Sequence, residues 1–185
     1  MSLPYGLLGL LIYQDSTGYD LTKFFEESLN NFWHAQSSQI YRELDRMEKK
    51  GWVTSQNIIQ EKRPNKRVYT ITDEGHSEMQ AWLDSGNLEL RNVHDPLLVR
   101  VFFGASAPEV TLALLKACRE MALVYAEKLQ KSGLTSIDHY ADTLPGGDHH
   151  CLYWEMTLEY GVSTALARAE WAQRCIDKLE SETKT

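Results

Sequence analysis

Three features of secreted and membrane proteins are missing from this sequence of 185 residues. No apolar run approaches the roughly 20 residues that a membrane-spanning helix needs. The first cation is Lys23, so the amino terminus lacks the basic region of a signal peptide. The cysteines are odd in number and widely spaced, at Cys118, Cys151 and Cys175, which indicates reduced thiols rather than a disulfide framework. These absences predict a cytoplasmic protein that has no contact with a membrane.

Motifs of catalysis are also missing. No glycine-rich phosphate loop occurs, and no nucleophile motif surrounds any serine or cysteine. We therefore predict a protein that is not an enzyme and that holds no cofactor and no metal. The run from Asp148 to Cys151 contains metal-type ligands, but adjacent helical residues point in different directions, so all four cannot hold one ion. Two of them with distant partners would make a metal-responsive sensor, which stays open as an alternative.

Positive charge is gathered in one window, although the net charge of the chain is −7. Residues 37–70 contain eight cations and four acids, so the rest of the chain is strongly acidic. A local basic surface favours contact with nucleic acid, and the acidic remainder weakens nonspecific binding. The overall acidity also leaves open a protein–protein interaction module that does not bind DNA.

The stretch from Ser37 to Val53 predicts a short amphipathic helix. Its apolar residues are spaced by four and then three, on one helical face; they are Ile40, Leu44 and Met47. Its other face carries hydrogen-bonding and cationic side chains, namely Gln39, Arg42, Arg46 and Lys49. Ser37 or Ser38 is expected to cap the start, and Gly51 to supply a left-handed stop. A DNA-recognition helix needs such an apolar back and cationic front.

After this helix the sequence predicts a β-hairpin with a basic loop. The first run begins at Val53 and includes Ile58 and Ile59, and residues 67–72 alternate as a second strand requires. Residues 61–66 between them form a polar turn with three cations, Lys62, Arg63 and Lys66. A helix followed by a hairpin and a basic loop is the order found in a winged helix-turn-helix, whose loop reaches the phosphate backbone.

Further helices are predicted on both sides of this region. Before it they cover residues 3–13 and 19–29, with a turn at 15–18, and after it a helix follows a Thr72 cap to about Asp84. Beyond residue 90 we predict a short helix at 96–104, a helix from a Ser106 capping box to about Ser132, an irregular stretch and a last helix at 149–182. The fold class is mainly α with a small β-hairpin. A winged helix-turn-helix domain is expected at 1–86 and a helical dimerisation domain at 87–185.

Five motifs in order closely resemble the PadR family of bacterial transcriptional regulators. They are Gly18-Tyr19-Asp20-Leu21, Ile40-Tyr41-Arg42-Glu43-Leu44, Gly51-Trp52-Val53, Lys66-Arg67-Val68-Tyr69 and Ile71-Thr72-Asp73-Glu74-Gly75. The helical tail resembles the branch of the family that is related to virulence-gene activators. The resemblance implies a dimeric regulator, usually a repressor, that binds palindromic promoter DNA and is released by a small molecule. It also implies that Tyr41 and Arg67 contact DNA.

Three sets of site residues follow from these patterns. The expected DNA contacts are Ser37, Ser38, Gln39, Tyr41, Arg42, Arg46, Lys49, Lys62, Arg63, Lys66, Arg67 and Tyr69. Aromatic residues beside the expected joint of the two domains would bind a small planar effector, namely Trp82, Phe103 and Trp154. An apolar stripe on the last helix would form the homodimer interface, through Leu152, Met156, Val162, Leu166, Ala169 and Ile176.

The last helix has an alternative partner within its own chain. The preceding helix has apolar residues at helical spacing, and the last helix would fold back on them; they are Val110, Leu114, Cys118, Met121, Tyr125 and Leu129. Gly161, Ala165, Ala169 and Ala172 are small enough for any neighbouring helix to approach closely. The sequence leaves both contacts open, and one does not exclude the other.

Overall fold

The computed structural model describes residues 3–30, 32–59, 66–86 and 94–182. Contacts group them into two compact units, of which the first comprises 3–86 with 138–150 and the second comprises 94–137 with 151–182. Lys62 and Arg63 of the predicted basic loop lie outside the described residues. The domain boundary near residue 86 stays a prediction. Within the described ranges, no helix combines the length and apolarity needed to cross a membrane.

The first unit contains four helices and a small sheet. Its elements are α1 (Leu3–Tyr13), β1 (Ser16–Thr17), α2 (Gly18–Ser28), α3 (Ser37–Lys49), β2 (Val53–Ile58), β3 (Lys66–Ile71) and α4 (Asp73–Asp84). The predicted mainly helical fold with a β-hairpin is confirmed. One strand was not predicted, because β1 has only two residues and therefore no periodicity to read. It pairs antiparallel with β3 and gives a three-stranded sheet in the order β1-β3-β2.

The core of the first unit lies between α1, α2 and α3. Side chains with at most 2% exposure include Leu7, Leu8, Leu11, Leu21, Phe25, Ile40, Leu44 and Met47. Each such side chain contributes roughly 1.5–3 kcal/mol by leaving water. Gly6 lets α1 approach α2, since a Cβ there would lie 3.2 Å from Leu29 Cδ1. This packing fixes the back of α3 and leaves its other face outside.

Two local motifs fix the direction of the chain after α3. Gly51 has a φ of +77°, and its N–H donates to the Glu48 carbonyl while the Trp52 N–H donates to Met47. These paired bonds form a Schellman C-cap, as predicted for Gly51. Thr72 then caps α4 by accepting the Gly75 N–H at 3.1 Å, and its hydroxyl donates to the Gly51 carbonyl at 2.6 Å. The hairpin is thereby held between α3 and α4.

The second unit is built mainly from two long helices. Its elements are α5 (Pro96–Phe102), a 3-10 turn (Gly104–Ser106), and parts of α6 (Pro108–Thr143) and α7 (Gly147–Glu182). The predicted end of α6 near Ser132 is wrong. A Cβ on Gly133 would overlap the Leu158 side chain of α7, so this glycine serves close helix packing and does not stop the helix. The predicted Ser106 cap is also wrong, because Ser106 lies in the 3-10 turn.

The two long helices are antiparallel and pack through small residues. The buried residues of α7 are Gly161, Ala165, Ala169, Ala172 and Ile176. The buried residues of α6 are Thr111, Leu115, Ala122 and Ala126. The predicted packing stripe on α6 is therefore wrong in its phase, since Val110 is 57% and Met121 71% exposed. Small side chains allow the two helices to approach closely. A search for large apolar residues does not detect a packing face of this kind. The predicted fold-back of the last helix on its own chain is present.

The tip of this hairpin packs with the first unit. The Tyr140 hydroxyl donates to Glu27 Oε2 at 2.5 Å, and its ring stacks on Phe24 with 4.4 Å between centroids. The His150 ring meets Tyr13 edge-on at 5.1 Å. Burial and the Glu27 hydrogen bond raise the pKa of Tyr140 well above its ordinary value. The tip thus covers the ends of α1 and α2 through polar and aromatic contacts.

Candidate nucleic-acid interface

The outer face of α3 presents a continuous set of hydrogen-bonding and cationic groups. Its three apolar residues are 0% exposed, so the helix cannot turn this face inward without losing its core contacts. Seven of the predicted contact residues lie together on the exposed side, namely Ser37, Ser38, Gln39, Tyr41, Arg42, Arg46 and Lys49. All of these residues lie on a single helix, and the major groove of B-DNA admits one α-helix.

The start of α3 differs from the prediction. The N-cap is Gln36 rather than Ser37 or Ser38, and its backbone N–H donates to Gln39 Oε1 at 2.9 Å. Both serines lie in the first turn and are exposed. Their hydroxyls therefore stand at the positive end of the helix, a place where phosphate oxygens are favourable.

Tyr41 is placed by a contact that the sequence did not predict. Its ring is 45% exposed and packs over Gly18 at the start of α2. A Cβ at position 18 would overlap this ring, so only glycine leaves the space. The motif glycine thus acts indirectly on the outer face of α3 by setting the position of Tyr41.

Arg67 binds α3 in the structure. Its guanidinium donates to Ser55 Oγ at 2.9 Å, to Asp45 Oδ1 at 3.4 Å and to Glu48 Oε2. These bonds neutralise two carboxylates on the helix that would otherwise repel phosphate. The Arg67 side chain is still 40% exposed, and its contact with DNA stays a prediction.

Tyr69 requires a correction. Its side chain is only 2% exposed, so it has almost no surface to offer to DNA. It packs beneath the Arg67 guanidinium at 5.1 Å from the ring centroid. Burial raises the pKa of Tyr69, although the Arg67 charge opposes this shift. The alternation of residues in the strand predicted on which side of the chain Tyr69 lies. It does not tell which face of the sheet is buried.

The remaining cations differ in how firmly they are held. Arg46 pairs with Glu43 at 3.2 Å but is 62% exposed, so solvent screens this pair. Lys50, which was not predicted as a contact, lies 3.9 Å from the Trp52 ring centroid. Lys66 is exposed at the first residue of β3. Arg42 and Lys49 are exposed and have no ion-pair partner in the part of the chain that the structure describes, so both are available to a base edge or a phosphate.

Two family models together match most of the chain. Residues 7–81 match the transcriptional regulator PadR-like family, and residues 93–180 match the virulence activator alpha C-terminal family. The chain carries a PadR-like domain followed by a virulence-activator C-terminal domain. The first match covers the helix-turn-helix and the hairpin, and the second covers α5 and most of the long helices.

Relatives of this PadR-like chain include regulators of known structure. It is 38% identical over 101 residues to the negative transcriptional regulator PadR of Bacillus subtilis, a stretch covering 55% of this chain and 56% of that protein. The match thus spans about half the length of the curated relatives. The structure of that PadR with operator DNA aligns with a TM-score of 0.78 and 26% identity over 97% of this chain and 99% of that one.

Two further structures align over nearly the whole PadR-like chain. The Vibrio cholerae virulence activator AphA has a TM-score of 0.73 and 26% identity, covering 98% of this chain and 99% of its own. The structure of B. subtilis PadR with p-coumaric acid has a TM-score of 0.74 and 25% identity, covering 97% and 99%. Both align with the winged-helix head, residues 3–86 of this chain, and with the helical tail, residues 94–182.

The predicted effector residues of this PadR-like chain lie in different units. Trp82 belongs to the first unit, where it stacks on Tyr5 with 4.7 Å between ring centroids and remains 39% exposed. Phe103 belongs to the second unit, is 67% exposed and meets Phe102 edge-on. Trp154 is half-buried on α7. Their convergence on one ligand stays a prediction.

The predicted dimer residues divide into two groups. Ala169 and Ile176 are buried by α6 of the same chain, at 4% and 2% exposure, and Val162 is half-buried. Leu152, Met156 and Leu166 remain 56%, 54% and 42% exposed. The first group stabilises the hairpin, and only the second offers apolar surface to another chain.

The histidines near the hairpin turn take part in aromatic contacts. His149 and His150 lie edge-on to each other at 5.7 Å, and His139 meets Tyr140 at 5.2 Å. Among the described residues, no three His, Cys, Asp or Glu side chains are grouped as metal ligands.

Proposed function

We propose that this protein is a transcriptional regulator that binds promoter DNA through the outer face of α3. The observation that carries the proposal is the exposed cationic face of a helix whose back is fully buried. The PadR-like domain and the relative that was solved with operator DNA support it. Lys62, Arg63 and Lys66 are proposed to contact phosphate, and the base-reading role falls to Arg42 and Arg46.

The first prediction tests α3. Arg42→Ala should weaken binding to the protein's own promoter by about 1–3 kcal/mol, because Arg42 has no competing ion pair among the described residues. Electrophoretic mobility or fluorescence anisotropy measures this in a salt series, with a scrambled duplex of equal length beside the promoter. Arg174→Ala, on α7, removes the same charge from the other unit and serves as the matched control.

The outcomes separate the candidate functions. Loss of promoter binding in the Arg42 variant, with the control unchanged, agrees with base reading by α3. Equal binding by wild type and both variants would reject this face as the reader. Wild-type protein that binds neither duplex at low salt would favour the protein–protein interaction module instead.

We further propose that the regulator acts as a homodimer on a palindromic site. One head reads too few base pairs for strong specificity, and two heads on successive turns of the major groove remove this limit. The first half of α7 supplies an exposed apolar face, formed by Leu152, Tyr153, Met156 and Tyr160 at 54–63% exposure. A patch of this kind on a soluble protein commonly marks an interface.

The second prediction tests this dimer. Met156→Glu should shift the protein from dimer to monomer, because it would bury a charge in the proposed interface. Sedimentation velocity at micromolar concentration measures the change. Thr54→Glu, at an exposed position of β2, adds the same charge elsewhere. A dimeric Met156 variant, or a monomeric wild type, would remove α7 from the proposal.

Repression and its release are the remaining parts of the proposal. B. subtilis PadR is described as a negative regulator and was solved with p-coumaric acid. By analogy, we propose that a small aromatic acid binds this protein and lowers its affinity for DNA. Titration with p-coumaric acid, followed by tryptophan fluorescence and by promoter binding, tests both steps. Quenching of the fluorescence without loss of DNA binding would support binding of the acid and reject its regulatory role.

A further inference from the structure

Two of the three cysteines lie against one apolar cluster of the second unit. Leu115, Ala172 and Ile176 form its buried centre, and Cys118 of α6 and Cys175 of α7 both pack against it, partly buried. Helix α5 reaches the same cluster through Val101.

Contacts between the long helices set the level of each cysteine. Lys116 pairs with Glu180 at 2.6 Å, and Arg119 donates to Gln173. Cys118 lies between Lys116 and Arg119 on α6, and Cys175 lies between Gln173 and Glu180 on α7. Because the helices run antiparallel, the level of residue 118 lies opposite residue 175. The two thiols therefore face the same cluster at the same height.

Cys118 also has a cationic partner. Arg168 Nε donates to Cys118 Sγ at 3.3 Å, and the same guanidinium binds Asp95 Oδ2 at 2.7 Å. Asp95 in turn caps α5 by accepting the Leu97 N–H at 2.9 Å. A guanidinium N–H beside a sulfur can also donate to a second acceptor that forms there. The same donor suits the oxygen of a sulfenic acid.

We propose that Cys118 is a thiol oxidation site for peroxides and that Cys175 resolves the oxidised form as a disulfide between α6 and α7. In the first step the Cys118 thiolate attacks one peroxide oxygen, the O–O bond breaks, and hydroxide leaves and is protonated to water. In the second step the Cys175 thiol attacks the sulfenic sulfur, an S–S bond forms, and a second water leaves. Two thiols thereby give two electrons to one hydrogen peroxide.

Oxidation would act on the anchor of α5. The disulfide takes the Cys118 sulfur away from Arg168, so the guanidinium loses one of its two partners. The proposal does not depend on DNA binding, because the cluster lies in the second unit and the reaction involves only its own side chains.

The test uses native full-length protein and hydrogen peroxide. After treatment, free thiols are blocked with iodoacetamide, and peptides are analysed by mass spectrometry without reduction. We expect a peptide pair that joins Cys118 to Cys175 and is lighter by two hydrogens. Cys151→Ser is the matched control and should leave this link intact. Cys175→Ser should lose the link and instead carry a dimedone adduct on Cys118, and Arg168→Gln should lose most of that adduct.

Other outcomes would overturn the proposal. A link that involves Cys151 would place the reactive pair elsewhere. Dimedone labelling of Cys151 at the rate of Cys118 would show that Arg168 confers no reactivity. Wild-type protein in which both thiols remain fully alkylated after peroxide treatment would show that no disulfide forms. The wild-type and Cys175→Ser proteins both keep the native Cys118. A folding defect caused by a substitution at position 118 therefore cannot produce their results.

Discussion

At the residue scale, the contact between Gly18 and Tyr41 links the two helices of the helix-turn-helix. An alanine at position 18 must displace the Tyr41 ring, because its Cβ would overlap that ring. The third prediction is that Gly18→Ala costs about 1–3 kcal/mol of stability, the usual cost of overpacking. The change should cost little in a Tyr41→Ala background, where the ring is absent. Urea unfolding of the four proteins in this double-mutant cycle measures the coupling.

The same cycle has a built-in control. Gly6→Ala also adds a methyl group under α2, but its neighbours are Leu29 and Phe25, so the Tyr41 change should not rescue it. Equal costs of Gly18→Ala with and without Tyr41 would mean that overlap with the Tyr41 ring is not the cause of the cost. The sequence identified Gly18 only as part of a motif, since a cross-helix contact leaves no periodic signal in a chain.

At the element scale, α5 is held by a charged pair as well as by packing. The Arg168 hydrogen bond lowers the pKa of Asp95, even though burial opposes this shift. A lowered folded-state pKa stabilises the protein above the ordinary carboxyl pKa of about 4, and this contribution is lost as the pH falls through the folded value. The fourth prediction is that Asp95→Asn increases amide exchange in α5 at pH 7, while the difference from wild type shrinks as the pH is lowered below 4.

Asparagine is chosen because it keeps the cap of α5 and removes only the charge. The expected effect is about 0.5–1 kcal/mol, since Arg168 is 45% exposed and solvent screens the pair. Asp177→Asn is the control, because Asp177 accepts a hydrogen bond from neutral Gln173. A difference that persists unchanged at pH 3 would assign the effect to the cap rather than to the charge.

Apart from β1, the helices and strands of the first unit were predictable because each has a period, a terminal signal or both. Helix α3 shows its buried face at intervals of four and three, and Gly51 and Thr72 mark its end and the next start. The tail was harder to predict, since close packing at Gly133 imitates a helix stop and small residues hide the buried face of α7. The exposed cations of α3 followed from the sequence, but the Arg67 bonds to Asp45 and Glu48 required coordinates.

At the scale of the whole molecule, the hairpin tip belongs to the head by its contacts. The fifth prediction is that Tyr140→Phe lowers the free energy of unfolding of the first unit by about 1 kcal/mol, because it removes the hydrogen bond to Glu27. The pKa of Tyr140 is raised by burial first and by Glu27 second. The hydrogen bond therefore contributes fully below the ordinary tyrosine pKa of about 10, and its contribution declines as the pH rises through the folded value.

Urea unfolding at pH 7 and near pH 11 measures this difference. Tyr125→Phe, at an exposed position of α6, is the control for loss of a phenol. The stability loss in the Tyr140 variant should shrink at the higher pH, and the control should show no loss at either pH. Equal stability of wild type and the Tyr140 variant at pH 7 would mean that the tip is held by its aromatic contacts alone.

The order of synthesis gives the tip contact a second consequence. Glu27 and Tyr140 are 113 residues apart, so the first unit is complete only after the tip has left the ribosome. At about 5–20 residues per second, that follows residue 86 by several seconds. During this interval the nascent head has its three-helix core, but the Phe24 ring lacks Tyr140 and the Tyr13 ring lacks His150. A chain whose synthesis stops between residues 86 and 138 would therefore lack this cover over the Phe24 and Tyr13 rings.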